Sequence, residues 1–222
     1  MWRDALLVAG KDLLIERRAK VALNQLGPYA LVVLLLFGFA FDQDRPLLVQ
    51  AAPGLFWVVV VFSGLLAVQR SFSLESSDGA IDGLRLSRLE PAGVFLGKAA
   101  AIAAQLLALE ALLTAGIVVL FHSELAGAGL LVASALLSTA GVAAAGVAYG
   151  ALSMGLRVKE TLLPLLLAPA LAPIVLAATE AWRAALHLSS GGGWRWLGLL
   201  ACFSAVYLAG GTVGFGALME ET

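Results

Sequence analysis

The sequence predicts an all-α membrane protein: six transmembrane helices preceded by an interfacial elbow helix. Three observations carry this. Hydrophobic residues make up 61% of the 222-residue chain and charged residues only 13%. The mean hydropathy is +0.95. Several apolar runs approach or exceed the ~20 residues that a helix needs to cross a bilayer. A soluble domain of this length does not carry such runs. The net charge of −1 gives no basis for a nucleic-acid partner. The single cysteine, Cys202, cannot form an internal disulfide.

Residues 1–24 form the predicted elbow. Over 2–20, Trp2, Leu6, Ala9 and Leu13 share one helical face, while Lys11, Asp12, Glu16, Arg17 and Arg18 lie elsewhere. That pattern suits a helix lying on the membrane surface. The first apolar run follows this charged segment, so it reads as a retained span and not a cleaved signal peptide.

The spans are predicted at about 26–41, 48–69, 97–121, 125–156, 161–179 and 196–219, in one permease domain covering 1–222. Pro28 sits at the entry of the first, where a helix tolerates proline. Pro53 and Trp57 lie early in the second. The fourth is too long for one straight crossing, and its Gly127, Ser134, Ser138, Gly141, Ala145 and Gly146 permit close helix packing. The fifth, TLLPLLLAPALAPIVLA, contains Pro164, Pro169 and Pro173. Each removes a backbone donor, so this span is the candidate broken helix: a kinked packing helix, or a hinge or pathway wall. The sixth carries LAGGTVGFGA, again rich in small residues.

Orientation follows from Lys and Arg. With the N-terminus inside, eleven of the 14 basic residues fall on the cytoplasmic side and three (Arg45, Arg183 and Arg195) outside. The positive-inside rule therefore puts both chain ends in the cytoplasm.

The same topology places the long polar connection, 70–96, in the cytoplasm. Its core, ESSDGAIDGLRLSRLEP, offers Glu75, Asp78, Asp82, Arg85, Arg88 and Glu90 for charge pairing. Gly79 and Gly83 interrupt helix, and Pro91 closes the segment. Ile81, Leu84, Leu86 and Leu89 add apolar contact. Such a segment can dock a partner protein or lie on the membrane as a connector.

Catalytic chemistry finds little support. There is no Gly-x-x-x-x-Gly-Lys-Ser/Thr loop for ATP, no Gly-x-Ser-x-Gly, and no His or Cys at ligand spacing. A non-catalytic subunit with no metal site is expected. Glu110 lies inside the third span, five residues after Gln105. An intramembrane carboxyl is costly, so it marks a pathway or a hydrogen-bonded packing site. The segment TEAWRAALHLSSGGGWRW holds Trp182, His187 and Trp194. It reads as an interfacial aromatic belt, or as a periplasmic docking surface for a partner or for heme, with His187 as a candidate iron ligand.

Four segments carry a family resemblance: LLVAGKDLLIERRAKVALN (6–24), APGLFWVVVVFSGLLAVQRSF (52–72), SSDGAIDGLRLSRLEPAGVFLGKAAA (76–101) and MGLRVKETLLPLLLAPALAPIVLAATEA (154–181). Together they resemble the heme exporter protein B (CcmB) family, the permease subunit of the cytochrome c maturation ABC transporter. The likeness is densest in 52–101 and 154–181. Ser76 and Ser77 stand where the family commonly has an acidic pair, and Arg88-Leu89-Glu90-Pro91 where it commonly has Pro-Leu-Pro.

The resemblance implies an ABC-2-like permease in the bacterial inner membrane, acting as a homodimer with a separate ATP-binding subunit. It implies that 75–91 is the coupling element and that the elbow touches the ATPase. The implied partners are the heme-handling protein CcmC, a small membrane subunit and the heme chaperone CcmE. ATP would be bound by the partner, and heme would be cargo, not a resident cofactor. The alternatives left by the residues alone are a proton-coupled secondary transporter using Glu110 and a non-catalytic membrane scaffold.

Overall fold

A computed structural model describes residues 1–20, 24, 26–41, 44–77, 89–121, 127–154, 159–188 and 192–220. Among these the chain is all-helical, with seven α-helices: α1 (Trp2–Ala19), α2 (Gly27–Ala40), α3 (Arg45–Ser77), α4 (Pro91–Phe121), α5 (Ala128–Met154), α6 (Lys159–Ala185) and α7 (Gly193–Glu220). In a bilayer every backbone polar group must be satisfied within the protein, and a helix does this by itself. Five helices, α3 to α7, are long and apolar enough to cross a membrane. The remaining apolar run, the first in the chain, gives α2, which has only 14 residues. At 1.5 Å per residue it spans about 21 Å, short of the ~30 Å hydrocarbon layer.

The helices run further than the apolar runs that announced them. α3 continues to Ser77 and α4 begins at Pro91. The polar connection expected over 70–96 is therefore shorter, because Arg70 to Ser77 and Pro91 to Leu96 are helical. A helix leaving the bilayer still satisfies its own backbone, so hydropathy marks where the lipid ends and not where the helix ends. The long fourth run gives a 27-residue helix, α5. The proline-rich fifth run is one continuous helix, α6, through Pro164, Pro169 and Pro173. Within it, Tyr207 of α7 donates a hydrogen bond of 2.7 Å to the Ala170 carbonyl.

α5 is the central post. It packs against α3, α4, α6 and α7, and its small residues set the distances. A Cβ at Gly146 would lie 2.6 Å from Val68 Cγ2, and one at Gly141 2.6 Å from Ser204 Oγ. Gly127 meets the Ala185 backbone in the same way. Buried hydroxyls are satisfied by carbonyls: Ser134 donates to Leu131 at 2.9 Å and Ser204 to Leu137 of α5 at 2.7 Å. The small-residue stripe expected in this run thus serves packing within the chain.

At the end of the bundle near the α6 C-terminus, Phe56, Trp57 and Trp182 form an aromatic cluster. Phe56 stacks on Trp182 at 4.0 Å between centroids, and Trp57 meets Trp182 edge-on at 5.9 Å. Deleting an aromatic side chain from such a core costs about 3–5 kcal/mol. Trp182→Ala is expected to lower the thermal unfolding midpoint of the detergent-solubilised protein sharply, whereas Trp194→Ala, at a position 74% exposed, leaves it unchanged.

Candidate functional site

α1 lies on α4 and joins the two helices that bracket the polar connection. Ala5, Val8, Asp12 and Glu16 recur at three- and four-residue steps and so share a face. Ala5 and Val8 are buried. The surface beneath them is formed by Gly93 and Gly97 of α4. A Cβ at Gly97 would lie 2.6 Å from the Ala5 carbonyl oxygen and 2.7 Å from Val8 Cβ, and one at Gly93 2.8 Å from the Met1 carbonyl oxygen. Two glycines four apart on one helix let a second backbone come this close.

Polar contacts tie this face down along its length. The backbone N–H of Glu90 donates to Asp4 Oδ2 at 3.3 Å. The Met1 ammonium sits 2.5 Å from Glu90 Oε2, and the Glu90 carboxylate beside it raises the ammonium pKa above its ordinary value. Two turns further on, Lys98 of α4 is buried, 1% exposed. Its Nζ lies 3.6 Å from Asp12 Oδ2, donates to Ser71 Oγ of α3 at 3.2 Å, and sits 5.1 Å from the centroid of the Phe72 ring. At the far end of α1, Glu16 pairs with Arg70 of α3 at 3.7 Å.

The arrangement is a clasp. The polar connection leaves from the end of α3 and returns at the start of α4. α1 grips α3 through Arg70 and, by way of Lys98, Ser71, and grips α4 through Glu90, Gly93, Gly97 and Lys98. A displacement of the connection that shifts α3 against α4 must break or carry α1. An adjoining face of α1 is exposed: Trp2 is 71% and Leu6 75% exposed.

Several residues singled out in the sequence meet here. Asp12, Glu16 and Glu90 are clasp residues, and Lys11 pairs with Asp12 Oδ1 at 3.1 Å. Arg17 is exposed in the last turn of α1. Glu75 lies in the last turns of α3. Asp78, Gly79, Asp82, Arg85 and Arg88 lie outside the described residues. Lys98, Arg70, Ser71, Gly93 and Gly97 were not singled out. The available signal was a lysine inside an apolar run, one residue after a glycine pair spaced for helix contact.

The other candidates lie elsewhere. Glu110 is 4% exposed, and Thr139 of α5 donates a hydrogen bond to its Oε1. The Thr114 hydroxyl donates to the Glu110 backbone carbonyl at 2.7 Å. Gln105 is half-buried on α4, Pro164 half-buried and Pro169 exposed on α6.

The aromatic group expected beyond the fifth span does not form one surface. Trp182, 3% exposed, is a core residue because Phe56 and Trp57 cover its ring. It leaves the expected docking surface. Trp194 is exposed, and His187 is exposed in a turn with φ 57°. Among the described residues no three His, Cys, Asp or Glu side chains are placed to hold a metal ion.

The profile of the CcmB protein family matches residues 3–221. The chain is 32% identical to "Heme exporter protein B" of Paracoccus denitrificans over 182 residues, 81% of each chain. It is 31% identical to "Heme exporter protein B" of Haemophilus influenzae over 188 residues, 81% of this chain and 84% of that one. Its similarity to "Heme exporter protein B" of Pseudomonas aeruginosa extends over 211 residues, 90% of each chain, at 28% identity. Matched from end to end by this profile and folded into a bundle of membrane-length helices, the chain belongs to the CcmB protein family.

Proposed function

We propose that this chain is the non-catalytic permease subunit of a heme export system in the bacterial cytoplasmic membrane. ATP hydrolysis takes place in a separate subunit, whose motion enters through the polar connection between α3 and α4. In this reading both chain ends face the cytoplasm and α1 is the elbow, its exposed apolar face against the membrane surface. α2 completes a six-span topology together with the residues that flank it. The chain works as a homodimer and in company with the heme-handling proteins CcmC and CcmE and a small membrane subunit.

The observation that carries this reading is the clasp. A connector with no mechanical role does not call for a third helix bound to both of its roots. Relatives named heme exporter protein B over most of their length supply the cargo class. Lys98, Arg70 and the four basic residues of α1 gather on the side that the positive-inside rule assigns to the cytoplasm.

The test is a variant confined to the connection. Gly79→Pro together with Asp82→Lys is expected to lower both recovery of the ATP-hydrolysing subunit with the purified chain and the yield of mature c-type cytochromes at least tenfold, while the amount of the chain in the membrane stays unchanged. Normal recovery and normal cytochrome yield from that variant would sink the reading.

A further inference from the structure

A second feature lies away from the clasp. Between α4 and α5 runs a groove of about 630 Å³, walled by Leu107, Ala111, Ala115, Leu131 and Ala135 and reached by Glu110 of α4 and Trp182 of α6. Its rim includes Val119 and Val132, both exposed. Glu110 lies eleven residues before the end of α4, about 16 Å along the axis, so the groove opens at hydrocarbon depth.

Two of the side chains that line this groove each carry a polar atom with no hydrogen-bond partner among the described residues. These atoms are Glu110 Oε2 and the indole nitrogen Nε1 of Trp182, and both are buried. Thr139 serves only the other carboxyl oxygen, Oε1. The Thr114 hydroxyl, also in the wall, is occupied by the Glu110 backbone carbonyl. Among the described residues no Lys, Arg or His lines the groove. Buried polar atoms are normally paired, and ligand sites are concave and mostly apolar, with a few placed polar groups and volumes of ~300–1,000 Å³.

These facts restrict the occupant. The indole N–H needs an acceptor, and the carboxyl oxygen needs a donor or, when it carries the proton, an acceptor. A hydroxyl or amide offers both. A plain hydrocarbon chain offers neither. An anionic head would meet a carboxyl group with no cation to balance it among the described residues, and this sets the groove apart from any path for heme, whose porphyrin carries two carboxylates. We propose that the groove between α4 and α5 binds an uncharged amphiphile, with a hydroxyl or amide head at Glu110 and Trp182 and its tail along the apolar wall towards Val119 and Val132.

The experiment uses the full chain in its native complex, reconstituted in phosphatidylethanolamine–phosphatidylglycerol vesicles. The probes are a long-chain fatty alcohol bearing a photoactivatable diazirine, the matched diazirine hydrocarbon and the matched fatty acid at pH 8. The alcohol is expected to label segments 107–119 and 128–136 saturably. Its advantage over the hydrocarbon should be about fivefold, roughly 1 kcal/mol, the net worth of one hydrogen bond. Glu110→Leu should remove that advantage, and Glu110→Gln, which keeps a donor and an acceptor, should retain it. Val132→Trp, which fills the rim and leaves Glu110 intact, should abolish labelling and serves if Glu110→Leu does not assemble.

Equal labelling by alcohol and hydrocarbon would overturn the proposal, as would labelling by the fatty acid as strong as by the alcohol. So would complete protection of the groove by a partner helix in the intact complex. Each of these outcomes leaves the heme-export reading untouched.

Discussion

Gly97→Leu is expected to release α1 from α4. The glycine faces the Ala5 carbonyl oxygen and Val8 Cβ at distances that leave no room for a β-carbon, and the contact on the α1 side includes backbone, which cannot rotate away. Overpacking a tight contact costs about 1–3 kcal/mol, and the upper end applies where backbone must move. The five long helices keep their mutual packing, because α1 packs mainly on α4. The expected result is a chain that inserts and stays folded, with α1 open to protease and ATP hydrolysis in the complex no longer linked to export. A cysteine pair at Val8 and Ala101, one turn along from the glycine, should crosslink readily in the parent and at least tenfold less in the variant. An unchanged crosslinking yield would show that α1 is held by something other than the glycine pair.

The second large effect is expected at Asp12. Its Oδ2 lies 3.6 Å from the ammonium of Lys98, which is almost fully buried. Removing one partner of a buried ion pair typically costs 3–5 kcal/mol, because the remaining charge loses its compensation. Asp12 is only half-buried, and Lys98 retains the Ser71 hydroxyl, the Phe72 ring and further contacts, so less than that, about 2 kcal/mol, is expected for Asp12→Ala. Replacing both partners with apolar residues of similar volume, Asp12→Leu with Lys98→Met, should recover most of that stability. It should not recover coupling if the pair also fixes the position of α1 on α3 and α4. Thermal unfolding in detergent reads the first quantity, and ATP hydrolysis against cytochrome yield reads the second. A double variant restored in both would reduce the pair to a packing element.

The membrane-spanning part of this fold was open to sequence reasoning because the bilayer constrains it so strongly. An apolar run of sufficient length has one stable solution, and α3 to α7 are those runs. Their ends were less legible. α3 keeps its helix through Arg70, Ser71 and Glu75, where hydropathy has already fallen. The prolines of α6 free the carbonyls four residues before each of them, but whether a helix breaks there depends on its neighbours, which the local sequence does not show.

Trp182 shows the same limit. A tryptophan near a span end belongs to the interfacial belt unless another helix covers it, and here Phe56 and Trp57 of α3 do. The clasp was half legible. Asp12, Glu16 and Glu90 stood out as charges beside apolar runs. Their partners Lys98, Arg70 and Ser71 required knowing that α1 folds back across α4, and only Gly93 and Gly97 hinted at that contact.

The central claim is that the polar connection rooted in α3 and α4, held by α1, receives an ATP-hydrolysing partner. The most direct measurement places a photocrosslinking residue in turn at Ser77 and Leu89, which flank the connection, and at Val213, exposed on α7, as a control. Crosslinked products are then identified by mass spectrometry from native membranes with and without ATP. The account predicts a nucleotide-sensitive crosslink to one P-loop ATPase from Ser77 and Leu89 and none from Val213. Absence of any ATPase at Ser77 and Leu89, with Val213 crosslinking to lipid as usual, would contradict it.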